Sequence, residues 1–120
     1  MNTATRLCAA SLAALVLLRL AYAWAISATP ADVAGHAAIA LAPLLPFVAA
    51  WAFRLRGLWI YGGIAAWVYL SHGVMEAWAT PPVRAWALVE TVLATLYFAA
   101  MWERTRRMRA QGAQTQARHR

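Results

Sequence analysis

Four apolar stretches separated by short polar links constrain the fold of this sequence more than any other feature. The stretches cover residues 7–27, 34–53, 58–79 and 85–102. Each has roughly the 17–25 residues that a helix needs to cross a hydrocarbon core about 30 Å thick. Of the 120 residues, 63% are hydrophobic, which is more apolar surface than so small a soluble domain can bury. Because backbone groups in lipid must be satisfied within their own segment, each stretch is predicted to form a helix.

The links carry residues that start helices. Thr29, Pro30 and Asp32 supply an N-cap, a proline at the first helical position and an acid in the first turn. Thr80 with the prolines that follow it has the same pattern. Links this short make consecutive helices antiparallel neighbours. We therefore predict one all-α membrane domain over residues 1–120, an up-down-up-down bundle with transmembrane helices at about 7–28, 31–53, 58–79 and 82–109 and a flexible basic tail at 110–120.

Two prolines, Pro43 and Pro46, lie inside the second stretch. Each removes a backbone donor, so the second helix is predicted to bend there. A packing kink is the simpler interpretation, because neighbouring helices in a membrane tolerate such prolines. A hinge or a binding notch is the alternative.

The arginines indicate which ends face the cytoplasm. All eleven basic residues are arginine, and nine of them lie in the N-terminus, the second link and the C-terminal tail. These three segments share one side of the membrane if all four helices span it. Only Arg84 and the acidic Asp32 stand on the opposite side. The positive-inside rule therefore predicts that both termini are cytoplasmic.

The tail from Glu103 to Arg120 holds six of these arginines. We expect it to lie against anionic lipid headgroups, each arginine near the surface contributing about 1 kcal/mol. No aromatic residue is interleaved to stack on bases, so nucleic acid is not a predicted partner. The expected partners are thus the lipid bilayer, through anionic headgroups at the arginine tail, and another membrane protein.

Ionisable residues recur at one depth of the predicted bundle. Counted at 1.5 Å per residue from the non-cytoplasmic ends of their helices, Arg19 lies about 12 Å deep, His72 about 10 Å and Glu76 about 5 Å. By the same count, His36 and Glu90 lie about 9 Å deep. Ionisable side chains are costly in lipid and usually face a bundle interior. All four helices thus contribute such a group to one slab, which predicts an internal polar cluster.

The spacing of residues on each helix face makes this prediction more specific. Tyr69, His72 and Glu76 follow the spacing of one stripe on the third helix. An unpaired arginine in hydrocarbon is expensive, and a guanidinium matches a carboxylate. We therefore expect Arg19 to pair with Glu90 or Glu76.

Three interpretations of the cluster stay open at this point. It is a structural tie that fixes helix register, since membrane bundles commonly use polar residues as interhelical contacts. Alternatively, it is a small-solute or proton-handling pocket, because histidine titrates near neutrality and intramembrane acids often mark such paths. The third interpretation is a metal or redox site built from His36, His72, Glu76 and Glu90, although these residues lack a specific ligand signature.

No cofactor is predicted. A bis-histidine haem needs two histidines facing each other at matching depth, which keeps His36 and His72 as an alternative. The sequence has no glycine-rich phosphate loop, no Ser–His–Asp arrangement and no paired cysteines, so no catalytic residue is assigned and an enzyme is not expected.

The string from His72 to Trp78, HGVMEAW, is followed by Pro82, Arg84 and Glu90. In this it resembles a bacterial inner-membrane family, the domain of unknown function 2069, over most of the chain. The resemblance implies a multi-pass inner-membrane protein of about this length with a basic tail. It gives His72, Glu76, Trp78, Arg84 and Glu90 the status of motif positions and implies no catalytic role.

From the sequence we predict an accessory or interaction component of a membrane complex. The alternative is a small-solute or proton-linked transporter or binding protein that uses His72, Glu76 and Glu90. All basic residues are arginine and the chain is rich in alanine. Such a composition is typical of a GC-rich bacterial genome.

Overall fold

The polypeptide is helical almost throughout residues 2–120, the part of the chain that the computed structural model describes. Five α-helices follow one another, and no strand occurs between these residues. They are α1 (Thr3–Ile26), α2 (Pro30–Leu41), α3 (Leu45–Ala52), α4 (Leu58–Ala79) and α5 (Arg84–Arg118). Because a single 3₁₀ turn joins α2 to α3, the two form one bent span, and the predicted all-α architecture of four long helical segments is confirmed.

Three of the four segments are long and apolar enough to cross a membrane, namely Thr3–Ile26, Pro30–Ala52 and Pro81–Arg118. Helix α4 is 22 residues long and is not among these three. Its crossing of the membrane stays a prediction. Large apolar side chains point outward around the bundle, with Trp78 89% exposed. Such an outer surface suits lipid or a partner rather than water.

The predicted bend in the second span occurs at Pro43, within the 3₁₀ turn Ala42–Leu44. Proline has no N–H to donate to the preceding turn. Nearby, the hydroxyl of the buried Tyr69 donates to the carbonyl of Ala40 at 2.8 Å. A side chain of α4 thus satisfies a carbonyl of α2 next to the bend.

The two proline-containing links differ in how they start their helices. At the first, the Thr29 hydroxyl accepts from the amide of Asp32, and the Asp32 carboxylate accepts from the amide of Thr29, a capping box that confirms the predicted N-cap. At the second, the predicted cap by Thr80 is wrong, since its side chain makes no capping bond and Pro81–Val83 forms a 3₁₀ turn. Pro82 has no amide to donate, and the amide of Val83 donates to the backbone carbonyl of Thr80 at 3.1 Å rather than to its hydroxyl.

Helix α5 packs between α1 and α4, while α2 packs against α1 and α3 packs against α4. The bend thus carries the second span from one neighbour to the other. Small residues line the tightest contacts, with Ala65, Ala66 and Ala94 inaccessible to solvent. Small residues let membrane helices approach closely.

The end of α5 differs from its prediction. The helix continues to Arg118 rather than ending near residue 109, and residues 110–118 are helical. Alanine, glutamine and arginine are good helix formers, and the single Gly112 costs only about 1 kcal/mol in a helix interior. At 1.5 Å per residue, the part beyond Trp102 is about 24 Å long. It extends the helix axis, consistent with the 65 Å length of the molecule.

Candidate functional site: a buried Arg–His–Glu cluster

Three ionisable side chains from three helices meet at one carboxylate. Glu90 of α5 is 3% exposed. Its Oε2 lies 3.5 Å from Nη1 of Arg19 on α1 and 3.2 Å from Nδ1 of His72 on α4. Arg19 Nη1 and His72 Nδ1 are 3.4 Å apart. We call these three residues the Arg–His–Glu cluster.

Nδ1 of His72 lies 3.2 Å from Glu90 Oε2, which only accepts, and 3.4 Å from Arg19 Nη1, which only donates, so it can bond only one of them at a time. We assign the shorter contact, in which Nδ1 donates to Glu90 and Nε2 of a neutral imidazole is an acceptor. The arginine packs its guanidinium over Tyr22, whose ring centroid lies 5.6 Å from Cζ. The cluster therefore combines one cation, one anion and one imidazole, all on the inner faces of their helices.

Two buried atoms of the cluster, Arg19 Nε and Glu90 Oε1, have no hydrogen-bond partner within residues 2–120. A cavity of about 10 Å³ lies beside them, near the lower limit for holding a single water molecule. Its lining includes Glu76 and the rings of Tyr22 and Trp86, which are 5.9 Å apart between centroids. The centre of the cluster is thus nearly closed.

Glu76 lies beside the cluster rather than in it. The sequence left Arg19 a choice between two carboxylates, and the structure pairs it with Glu90. Glu76 is half-buried and lines both the small cavity and a wider groove of about 230 Å³ between α1, α2 and α4. We call the latter the α1–α2–α4 groove; the polar side chains along it are Arg19, Tyr22, His36, His72 and Glu76.

His36 reaches this groove but not the cluster. Its Nδ1 lies 2.9 Å from the carbonyl oxygen of Asp32 and 3.0 Å from the hydroxyl oxygen of Ser27. Since a carbonyl only accepts, Nδ1 is the donor and the ring is held by its own helix and by the first link. Ser27 and Asp32 are residues that the sequence analysis did not place at the site.

The remaining predicted positions lie elsewhere. Tyr69 is buried and occupied with the carbonyl of Ala40. Trp78 points outward from the bundle. The Nε of Arg84 donates to the carbonyl of Ala77 at 2.9 Å and so caps the C-terminus of α4. Tyr69 and Arg84 thus bond backbone carbonyls of α2 and α4, Trp78 faces away from the bundle, and none of the three joins the cluster.

Tyr22 and Trp86 also cover the site, and the sequence places each on the same helix face as a charged residue of the cluster. Tyr22 follows Arg19 by three residues, and Trp86 precedes Glu90 by four. Residues at these spacings share a helix face with the charged group. That spacing is the signal that points to them.

Within residues 2–120, no three His, Cys, Asp or Glu side chains come close enough together to hold a metal ion. His36 and His72 are each engaged through Nδ1 with different partners, Asp32 and Glu90. Because a bond through Nδ1 leaves Nε2 available, the haem interpretation stays a prediction.

Comparison with known proteins places the chain in a family of membrane proteins. A family model described as "Predicted membrane protein (DUF2069)" matches residues 7–109. No curated protein and no solved structure matches the chain. The matched range contains the whole Arg–His–Glu cluster and the groove beside it.

Proposed function

The chain belongs to this DUF2069 family of predicted membrane proteins, and from that premise we propose that it is a small multi-pass protein of the bacterial inner membrane, an accessory or interaction component of a membrane complex. Both termini are cytoplasmic in this proposal, since nine of the eleven arginines lie in the N-terminus, second link and tail. The Arg–His–Glu cluster then lies in the periplasmic half.

One observation carries the proposal. The three cluster side chains pair through Glu90 Oε2, with Arg19 Nε and Glu90 Oε1 left without a partner within residues 2–120, and the cavity beside them measures only about 10 Å³. A transport path needs a chamber that admits its solute, whereas a structural tie needs mutual pairing. The cluster therefore supports a scaffold that holds α1, α4 and α5 in fixed register and presents its outer surface to a partner.

The basic part of α5 is proposed to contact anionic lipid. Because the helix continues straight past Trp102, Arg104, Arg106 and Arg107 come within about 8 Å of the end of the apolar run. That distance matches the headgroup layer, which adds roughly 5–8 Å to each face of the hydrocarbon core. Arg118 lies about 24 Å beyond the run and outside this layer.

A second candidate function, a small-solute or proton-linked binding protein or transporter, is supported by the α1–α2–α4 groove. Its volume of about 230 Å³ and its polar side chains His36, His72 and Glu76 suit a small polar ligand. This function uses Glu76 at the groove and keeps Glu90 as the residue that orients His72.

Purification in mild detergent or nanodiscs, followed by mass spectrometry, separates the two functions. An accessory protein co-purifies with a larger membrane complex in fixed stoichiometry, and Glu76→Gln or Trp78→Ala weakens that association. A transporter instead moves solute alone in liposomes, and Glu76→Gln abolishes the flux while the protein stays folded. Recovery of the chain without any partner, together with flux in liposomes, would overturn the first proposal in favour of the second.

A further inference from the structure

Glu76 differs from every other acidic side chain within residues 2–120. Asp32, Glu90 and Glu103 each accept a hydrogen bond from a side chain or a backbone amide. Glu76 has no such partner in this part of the chain. Arg84, eight residues further on, donates to the last turn of α4 instead. A half-buried carboxylate without a partner is costly, because buried charges are normally paired.

The groove in front of Glu76 offers two further acceptors. His36 donates from Nδ1 to the carbonyl of Asp32, so its Nε2 is an acceptor when the ring is neutral. His72 donates from Nδ1 to Glu90, which leaves its Nε2 as an acceptor in the same way. Both histidines line the groove together with Glu76. Hydrogen bonds on one ring nitrogen orient the other, as they do in histidines that bind ligands.

The charge of the groove is negative once its internal ion pair is counted. Arg19 also lines it, but its guanidinium lies 3.5 Å from Glu90 and is compensated there. The carboxylate of Glu76 is left as the uncompensated charge. A ligand that complements the groove therefore carries one positive charge and several hydrogen-bond donors.

We propose that the α1–α2–α4 groove binds a small organic cation with several N–H donors, a primary ammonium or guanidinium compound. Glu76 provides the charge partner, and His36 and His72 accept from the remaining N–H groups. An ammonium presents three donors and a guanidinium five, and neither accepts. The volume of about 230 Å³ falls below the roughly 300–1,000 Å³ of pockets for drug-sized ligands, which limits the cation to a few carbon atoms.

This inference deepens the second candidate function and names its ligand class. The groove lies near the ends of α1 and α4, so a cation reaches it without crossing the apolar middle of the bundle. A bare metal ion fits less well, because the three acceptor side chains are not close enough together for direct coordination.

Calorimetry on the purified full chain in nanodiscs tests the site. Propylammonium and methylguanidinium are the probes, with tetramethylammonium as a cation that lacks N–H donors and propionate as an anion of similar size. We expect the first two to bind at one site per chain, tetramethylammonium to bind at least tenfold more weakly, and propionate not to bind. Equal affinity for tetramethylammonium, or no heat with either N–H cation, would overturn the inference without any variant.

Two matched variants test whether Glu76 is the charge partner of the bound cation. Glu76→Gln keeps the shape of the side chain and is expected to weaken propylammonium binding at least tenfold. Glu103→Gln removes a carboxylate from the part of α5 beyond the apolar run and is expected to leave binding unchanged. Unaltered binding by Glu76→Gln, with the helix content of the wild type by circular dichroism, overturns the site. Cation binding without flux in liposomes would reject the transport function and keep the cation site. Flux of a solute without cation binding would keep the transport function and reject the cation site.

Discussion

Glu76 and Glu90 lie within one slab of the bundle, and each uses its charge differently. Glu90 is buried and accepts from Arg19 and His72. Glu76 is half-buried and faces the groove. A residue that closes a buried ion pair contributes to stability, and removing it leaves an uncompensated charge. A residue without a partner has no such contribution to lose.

The two carboxylates are therefore expected to differ in a stability measurement. Glu90→Gln should lower the free energy of unfolding by about 1–3 kcal/mol, because the Arg19 charge is left buried without its counter-ion. Glu76→Gln should leave it unchanged or raise it, because no ion pair is broken and an unpaired charge is removed. Unfolding in bicelles with increasing SDS measures both variants. Equal losses for the two would contradict the distinction drawn between them.

Depth along each helix was predictable from sequence because the rise per residue is fixed. Counting residues brought Arg19, His72 and Glu90 to one level. The rotation of each helix about its own axis was harder to predict from the sequence, because it depends on packing against neighbouring helices. That rotation decides between Glu76 and Glu90 as the partner of Arg19. His36 turns toward Ser27 and Asp32, a local choice that depth alone does not reveal.

At the scale of helices, the approach of α4 to α5 positions the cluster. Gly73, next to His72, is buried against α5. A Cβ placed there would lie 2.6 Å from Thr91 Oγ1 and 3.0 Å from the carbonyl oxygen of Ala87. Because the latter is backbone, the helices would have to separate. Gly63, ten residues earlier on α4, has only ordinary contacts at 3.6 Å or more.

These two glycines give a matched pair of substitutions. Gly73→Ala should destabilise the protein by about 1–3 kcal/mol through overpacking. Gly63→Ala should be neutral or stabilising by up to about 1 kcal/mol, since alanine has the higher helix propensity and meets no obstacle. Unfolding in SDS and bicelles compares them. A Gly73→Ala variant as stable as Gly63→Ala would show that α4 and α5 do not pack as described.

Helix boundaries illustrate what local sequence predicts at this scale. The capping box at Thr29 depends on residues three apart and was read correctly. The bend at Pro43 follows from a missing donor and was also read correctly. Thr80 does not cap its helix, because Pro82 lacks an amide and the amide of Val83 bonds the carbonyl of Thr80 in a 3₁₀ turn. The end of α5 was placed too early because a run of helix-forming residues outweighs one glycine.

For the whole molecule, the distribution of arginine predicts the orientation in the membrane. Fusion of a fluorescent protein that folds only in the cytoplasm should give signal at the C-terminus after Arg120. Fusion of an alkaline phosphatase that is active only in the periplasm should be active after Thr80 and inactive after Arg120. Both expectations follow from the positive-inside rule. Phosphatase activity after Arg120 would reverse the orientation and move the cluster to the cytoplasmic half.

The central claim is that Arg19 and Glu90 join α1 to α5 within the membrane-embedded part of the bundle. A double-mutant cycle with Arg19→Met and Glu90→Met, measured as unfolding free energies in bicelles, tests it most directly. Residues in contact show coupling of about 0.5–3 kcal/mol. We predict a coupling of about 1–2 kcal/mol, with the double variant more stable than the two single losses imply. Losses that add to within about 0.3 kcal/mol would contradict the pairing.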